Sequence, residues 1–283
     1  MGPLLEAPSY GDAVTVLEGV VRLTCQNPSL MTGPGTNTYL VGNAALVAID
    51  PGPDDATHVS AVAQAAAGKL KTILVTHTHP DHSPGASRLA ELTGARVLGL
   101  GPRDGFEPHR LIEGGDVVDG GDIALRVLRT PGHASNHLAF IASTGGETVL
   151  FSGDHVMSGS TVVIAPPDGD MAQYLSSLHL VLDLEPPATV IAPGHGAVLA
   201  DPRAVVEYYV AHRLQREAAV LASLAARRSA VVEDIVADVY TDVPEVLHPI
   251  ARYSVWAHLR KLGQEGRASA GDPDDLGATW AVP

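Results

Sequence analysis

The 283-residue chain has one cysteine, Cys25. A lone cysteine excludes an intramolecular disulfide framework and fits a reducing compartment such as the cytoplasm. Cys25 follows the apolar stretch 20–24 and is expected as a small buried residue, outside any site. Aromatics are scarce at 4%, so a core must be filled by Ala, Val and Leu. No apolar run approaches the roughly 18 residues needed to cross a bilayer. The opening Met1-Gly2-Pro3-Leu4-Leu5-Glu6 lacks the basic region and long apolar stretch of a secretory leader. It also lacks the Ser or Thr that a myristoylation signal carries at position six. Basic residues are few: 18 Lys and Arg stand against 32 Asp and Glu, a net charge of −14, of which −12 falls within residues 1–202. That is not the footprint of a tight non-specific nucleic-acid binder. It leaves room for a phosphodiesterase, because bound metals bring their own positive charge. No Gly-x-x-x-x-Gly-Lys phosphate loop occurs anywhere.

What the chain does have is histidine and aspartate at the ends of apolar runs. His77, His79, Asp81 and His82 sit in Thr-His-Thr-His-Pro-Asp-His directly after the strand-like run 71–76. Period-2 alternation puts His77 and His79 on one side of that run, and Pro80 ends the extended segment. Ser83-Pro84 then opens a helix over 85–92. The same grammar recurs three times. A strand-like 123–128 leads through Thr130-Pro131-Gly132 to His133, 148–151 leads through Ser152-Gly153 to Asp154, and 189–191 leads through Ala192-Pro193-Gly194 to His195. Any one of these histidines alone reads as an ordinary loop residue. Five histidines and two aspartates at four matching strand ends read as metal ligands, and they are too many for one tetrahedral ion. The set therefore predicts two metals sharing a bridge, with Zn²⁺ the leading choice and Mn²⁺ or Fe²⁺ also compatible with these donors.

The chain divides near residue 202. Residues 1–202 carry the strands and candidate ligands. Residues 203–283 read as helices over 204–226, 231–240 and 248–262, then a hairpin over 266–283. Three helices and a hairpin resemble a winged helix. The loop 27–38, rich in Gly, Pro, Thr and Asn, reads as a turn between strands.

The pattern His77-x-His79-x-Asp81-His82, then His133, Asp154 and His195, resembles the metallo-β-lactamase superfamily. That resemblance implies an α/β fold, a four-layer αββα sandwich with two metals at one edge. It implies that His77, His79 and His133 hold the first metal, that Asp81, His82 and His195 hold the second, and that Asp154 bridges them. The segment Asn27-Pro-Ser-Leu-Met-Thr-Gly-Pro-Gly-Thr-Asn-Thr-Tyr-Leu-Val-Gly42 is similar to the β-lactamase-like protein 2 branch. So are Ser152-Gly-Asp-His-Val-Met157 and His258-Leu-Arg-Lys-Leu-Gly-Gln-Glu-Gly-Arg267. The branch implies endoribonuclease activity on single-stranded RNA and a C-terminal winged-helix-like domain.

Two metals about 3.5–4 Å apart would hold a bridging hydroxide near neutral pH. Asp81 is expected to help orient it, and His137 and His155 are the candidate proton donors. Two substrates stay open: single-stranded RNA, or a small-molecule ester or thioester, lactone or β-lactam. In the second case Arg252, Arg260 and Lys261 are available to grasp an anionic group. The oligomeric state is also open, a homodimer included.

Overall fold

The computed structural model describes residues 9–283, so the leader and myristoylation readings at residues 1–6 lie outside the described residues. The chain forms two compact units. The first holds the described residues through Thr130 with Asn136–Thr161 and Asp183–Arg203, and the second holds Pro131–Ser135, Val162–Leu182 and Ala204–Pro283. The last border between the units falls after Arg203. The two short earlier segments of the second unit were not anticipated.

The first unit begins with strands β1 (Val14–Leu17), β2 (Val20–Thr24), β3 (Asn37–Gly42) and β4 (Leu46–Ile49). Helix α1 (Ala56–Ala65), β5 (Leu70–Leu74), α2 (Gly85–Thr93), β6 (Arg96–Gly99) and β7 (Arg110–Leu111) follow. These seven strands form one sheet in chain order. It is antiparallel from β1 to β4 and parallel from β4 to β7. The parallel half needs crossovers: α1 and α2 supply those from β4 to β5 and from β5 to β6, and the loop 100–109 leads to β7. Asp55 caps α1 by accepting from the His58 N–H, and α2 stops at Gly94, whose φ of 72° suits glycine.

The second sheet takes β8 (Val117–Asp119), β9 (Ala124–Arg129), β10 (Leu138–Thr144), β11 (Glu147–Gly153), β12 (Val190–Pro193) and β13 (Leu199–Ala200), in the order β13-β12-β11-β10-β9-β8. The sheets face each other across a core that includes Val41, Val47, Leu74, Val127, Phe140 and Phe151. The opposite face of the first sheet packs Leu40 and Ile73 with Val59, Val62 and Leu89 of the two helices. Each large apolar side chain buried this way contributes about 1.5–3 kcal/mol. A helix layer and two sheets of the expected sandwich are thus present in the first unit.

In the second unit α3 (Met171–Leu182) precedes α4 (Pro202–Arg227), β14 (Ser229–Ala230), α5 (Val232–Val239), α6 (His248–Gln264), β15 (Ser269–Ala270) and β16 (Trp280–Ala281). The three short strands make a sheet in the order β14-β16-β15. Val220, Ile235, Val255, Leu259 and Trp280 lie in their shared core. The helices expected over 231–240 and 248–262 and the terminal hairpin all form. The motif around Arg260 and Lys261 is structural. Lys261 Nζ lies 2.9 Å from buried Glu217 and 2.5 Å from Glu265, and Arg260 pairs with Asp274 at 2.9 Å. A buried carboxylate must be paired, so Lys261 is committed to Glu217 rather than to a substrate anion. Among the described residues, no helix is long and apolar enough to cross a membrane.

Candidate metal centre

In the first unit the candidate ligands lie just past the carboxyl ends of strands. Asp81 and His82 follow β5, Asp154 follows β11, and His195 follows β12. The four therefore come from two different sheets. Their ligating atoms nevertheless converge. His82 Nε2 lies 3.4 Å from Asp81 Oδ2 and 3.4 Å from Asp154 Oδ1. His195 Nε2 lies 3.2 Å from Asp81 Oδ2 and 3.3 Å from Asp154 Oδ1. A tetrahedral ion with bonds of about 2.0–2.1 Å holds its ligand atoms about 3.3–3.4 Å apart. Each of the four nitrogen–oxygen distances among these two imidazoles and two carboxylates thus has about the length that an edge of such a site requires. Both Nε2 atoms are buried and make no hydrogen bond of good geometry, as a lone pair kept for a metal must be. The donors fit a divalent ion.

Hydrogen bonds on the far side of each ring set its tautomer. His82 Nδ1 lies 2.8 Å from Asp50 Oδ2, so it carries the proton and leaves Nε2 as the donor atom. His195 Nδ1 faces the carbonyl of Gly35 at 3.2 Å, with the same consequence. Thr76 gives its hydroxyl proton to Asp50 Oδ2 at 2.7 Å, so His77 Nδ1, 3.0 Å from Thr76 Oγ1, must donate. That leaves His77 Nε2 as the acceptor nitrogen, hydrogen-bonded to His79 Nδ1 at 3.0 Å. His77 Nε2 or Nδ1, His82 and Asp154 also offer ligand atoms within 4.8 Å of one another. His133 belongs to the second unit, where its Nδ1 donates to the Val163 carbonyl at 2.8 Å and leaves Nε2 as the acceptor nitrogen.

The strand end differs from the alternation expected. β5 stops at Leu74, so His77 and His79 stand on the connection 75–84 rather than on a strand. The reason is Asp50, whose Oδ1 takes the Thr76 N–H at 2.7 Å. Asp50 has φ of 52°, uncommon for a non-glycine residue, and is buried. It went unrecognised in the sequence, although an acid ending the apolar run 45–49 was the available signal.

Glycine completes the packing. A Cβ on Gly194 would lie 2.8 Å from both Asp154 Oδ1 and His82 Cε1, so only glycine lets the β12 turn pass beneath the ligands.

Burial opposes the charge on His82, but facing Asp81, Asp154 and Asp50 hold its pKa well above the ordinary value. His195 is likewise buried, and Asp154 and Asp81 raise it to about 9. Asp81 and Asp154 are held far below the usual carboxylate range, burial being outweighed by these two imidazoles. Negative charge concentrated at one point is what a divalent cation would neutralise.

His137 and His155 are fully buried. His137 Nε2 accepts the Asp154 N–H at 3.2 Å, so Nδ1 donates to Thr130 Oγ1 at 2.8 Å. This histidine steadies the ligand backbone, and a proton donor to substrate would need access that neither residue has. Cys25 is buried, its thiol pushed up to about 11 by burial.

Residues 31–195 match the metallo-β-lactamase superfamily. The chain belongs to it. Metallo-β-lactamase enzymes of this kind are hydrolases, and their fold implies a divalent metal. Residues 232–280 match the β-lactamase associated winged helix domain. The chain is 36% identical to a β-lactamase-like protein 2 homolog of Drosophila melanogaster, over 90% of this chain and 91% of that protein. It is 30% identical to an atrochrysone carboxyl ACP thioesterase of Aspergillus chevalieri, over 84% and 78% respectively. A β-lactamase domain protein from Burkholderia ambifaria shares its fold with a TM-score of 0.80 and 22% identity, over 98% of this chain and 95% of that one.

Proposed function

We propose that the chain is a two-metal hydrolase that cleaves phosphodiester bonds of single-stranded RNA. The observation that carries the metal reading is the convergence of His82, His195, Asp81 and Asp154 at 3.2–3.4 Å. His77, His79 and His133 are assigned to one ion, Asp81, His82 and His195 to the other, and Asp154 to both. Zn²⁺ suits this mixture of imidazole and carboxylate. When bound, the ions would lower the pKa of water and polarise the scissile group.

The remaining work belongs to the chain's own side chains. Asp50 and Thr76 hold His82 and His77 in ligating tautomers. Asp81, whose Oδ2 accepts from Thr36 Oγ1 at 3.4 Å, would help orient the attacking water. His137 holds the Asp154 backbone. The RNA reading is supported by near full-length similarity to a β-lactamase-like protein 2 homolog and by the winged-helix match.

The test incubates metal-loaded protein with end-labelled single-stranded RNA. Cleavage lost in His79→Ala is the expected result. No cleavage, or cleavage that survives His79→Ala, refutes it. The second reading is thioester hydrolysis, favoured by the similarity to an ACP thioesterase and by the net charge of −14, which repels polyanions. A parallel panel of S-acyl glutathione, homoserine lactone and nitrocefin separates the two, and turnover of the S-acyl substrate alone would replace the RNA reading.

A further inference from the structure

The Gly-Thr-Asn segment 35–37 has no part in the ligand set, yet its asparagine is buried beside it. Asn37 is the first residue of β3, in the first sheet. Its Nδ2 donates to the carbonyls of Pro193 at 3.0 Å and Gly196 at 2.9 Å. Both belong to the second sheet's β12 turn, and they bracket His195. The Asn37 backbone N–H donates to the Gly194 carbonyl at 2.8 Å. Its Oδ1 accepts from Thr24 Oγ1 at 3.0 Å, fixing the other end of the amide. Two carbonyls on one side and a hydroxyl donor on the other allow only one orientation of the carboxamide.

We propose that Asn37 is a positioning residue, whose carboxamide clamps the 193–196 turn so that His195 Nε2 meets the ligands of the first sheet. The inference rests on the metal-site reading. The chemistry is specific to asparagine. Two protons on one nitrogen at this reach satisfy two carbonyls. A serine hydroxyl has one proton, and the isosteric aspartate would press a carboxylate oxygen against two carbonyl oxygens about 3 Å away. Asp81 and His82 come from one sheet and Asp154 and His195 from the other. Distances of 3.2–3.4 Å between these atoms thus depend on how the sheets are tied at this corner. β3 and β12 belong to different sheets, so backbone pairing at this corner is limited to one isolated antiparallel bridge, Thr36 with His195, and the Asn37 N–H bond to Gly194; the carboxamide adds the ties on either side of His195.

The test loads the full-length parent, Asn37→Asp and Asn37→Ser with Co²⁺, with chelator competition for the dissociation constant and the visible d–d bands for coordination geometry. Outer residues that orient metal ligands typically change affinity by about 10–100-fold. The expected result is a loss of that size in both variants, with shifted bands, while each folded variant keeps the parent's far-ultraviolet circular dichroism. A purely structural role would lower the melting temperature and leave affinity and spectrum of the folded protein unchanged, which overturns the proposal. Should both Asn37 variants fail to fold, Tyr39→Phe removes another donor to the Pro193 carbonyl, at 2.9 Å. It is then expected to shift the same bands, and an unchanged spectrum overturns the clamp. A parent that binds no Co²⁺ overturns the metal reading and the clamp together. A parent that binds, with variants equal to it, overturns the clamp alone.

Discussion

Replacing Asp50 by asparagine changes almost no volume, so its effect reports on the hydrogen bonds and on the one charge removed beside His82, without a packing change. Asp50 accepts three of them: the Thr76 N–H at 2.7 Å on Oδ1, and the Thr76 hydroxyl at 2.7 Å and His82 Nδ1 at 2.8 Å on Oδ2. An amide offers one acceptor atom and one donor atom. If the amide nitrogen takes the Oδ1 position, it faces the Thr76 N–H, a donor against a donor in a buried place. That costs about 1–3 kcal/mol. If it takes the Oδ2 position, His82 must accept at Nδ1, which moves its proton to Nε2 and removes the lone pair a metal needs. The two routes predict different balances of lost stability and lost affinity, but neither leaves both unchanged. Metal affinity should fall about 10–100-fold, equivalent to about 1.4–2.7 kcal/mol. Chelator competition on parent and Asp50→Asn, with thermal melts of the metal-free proteins, reads both quantities. Affinity within twofold of the parent together with an unchanged melting temperature would refute the assigned tautomers.

Three further outcomes follow from the same geometry. Gly194→Ala places a methyl group 2.8 Å from Asp154 Oδ1 and His82 Cε1. It should cost about 1–3 kcal/mol by overpacking and weaken metal binding, measured by melting and by metal content after dialysis. Metal uptake should release protons and tighten with rising pH. His195 titrates at about 9 in the metal-free protein, so a proton must leave before Nε2 can bind. In the metal-free protein the raised pKa has the opposite consequence, its stabilisation being complete below about 6.5 and fading as pH rises through about 9. Calorimetry in buffers of differing ionisation enthalpy would count the protons, and pH-independent affinity from 6 to 9 would contradict the site. His58 donates from Nε2 to Thr38 Oγ1 at 2.8 Å, because that hydroxyl gives its own proton to the Asp50 carbonyl. Burial lowers His58 to about 4, so it folds uncharged and the unfolded chain binds the proton first. Its contribution is kept above about 6.5 and lost as pH falls towards 4, amounting to about 3 kcal/mol at the lower limit. His58→Gln should flatten acid unfolding over that window, and an unchanged slope would remove the assignment.

Much of the site was legible in the chain because metal ligands have few chemical alternatives. His77, His79, Asp81, His82, Asp154 and His195 are recognisable by type and by their place after apolar runs. The helix over 85–92 was legible from Ser83-Pro84, and the C-terminal helices from their periodicity and from Gly263. Asp50 and Asn37 were not, since both read as ordinary turn residues at strand ends. His137 read as a proton donor because four residues after His133 suggests proximity to the site. Its burial and its bond to the Asp154 N–H appear only when β10 and β11 pair. The basic residues of α6 read as substrate contacts, but Lys261 pairs with Glu217, 44 residues away, and Arg260 with Asp274.

The sequence by itself determined which residues are candidate ligands, the strand and helix periods, and the winged-helix character of the tail, since these follow from residue type and local spacing. The tertiary structure decided which nitrogen of each imidazole is left for a metal, how two sheets are tied at one corner, and which histidines merely support others. Those properties rest on hydrogen bonds between residues as far apart as Asn37 and Gly196, separated by 159 positions. No local period encodes such a bond, because both partners satisfy their own strand or turn equally well without it.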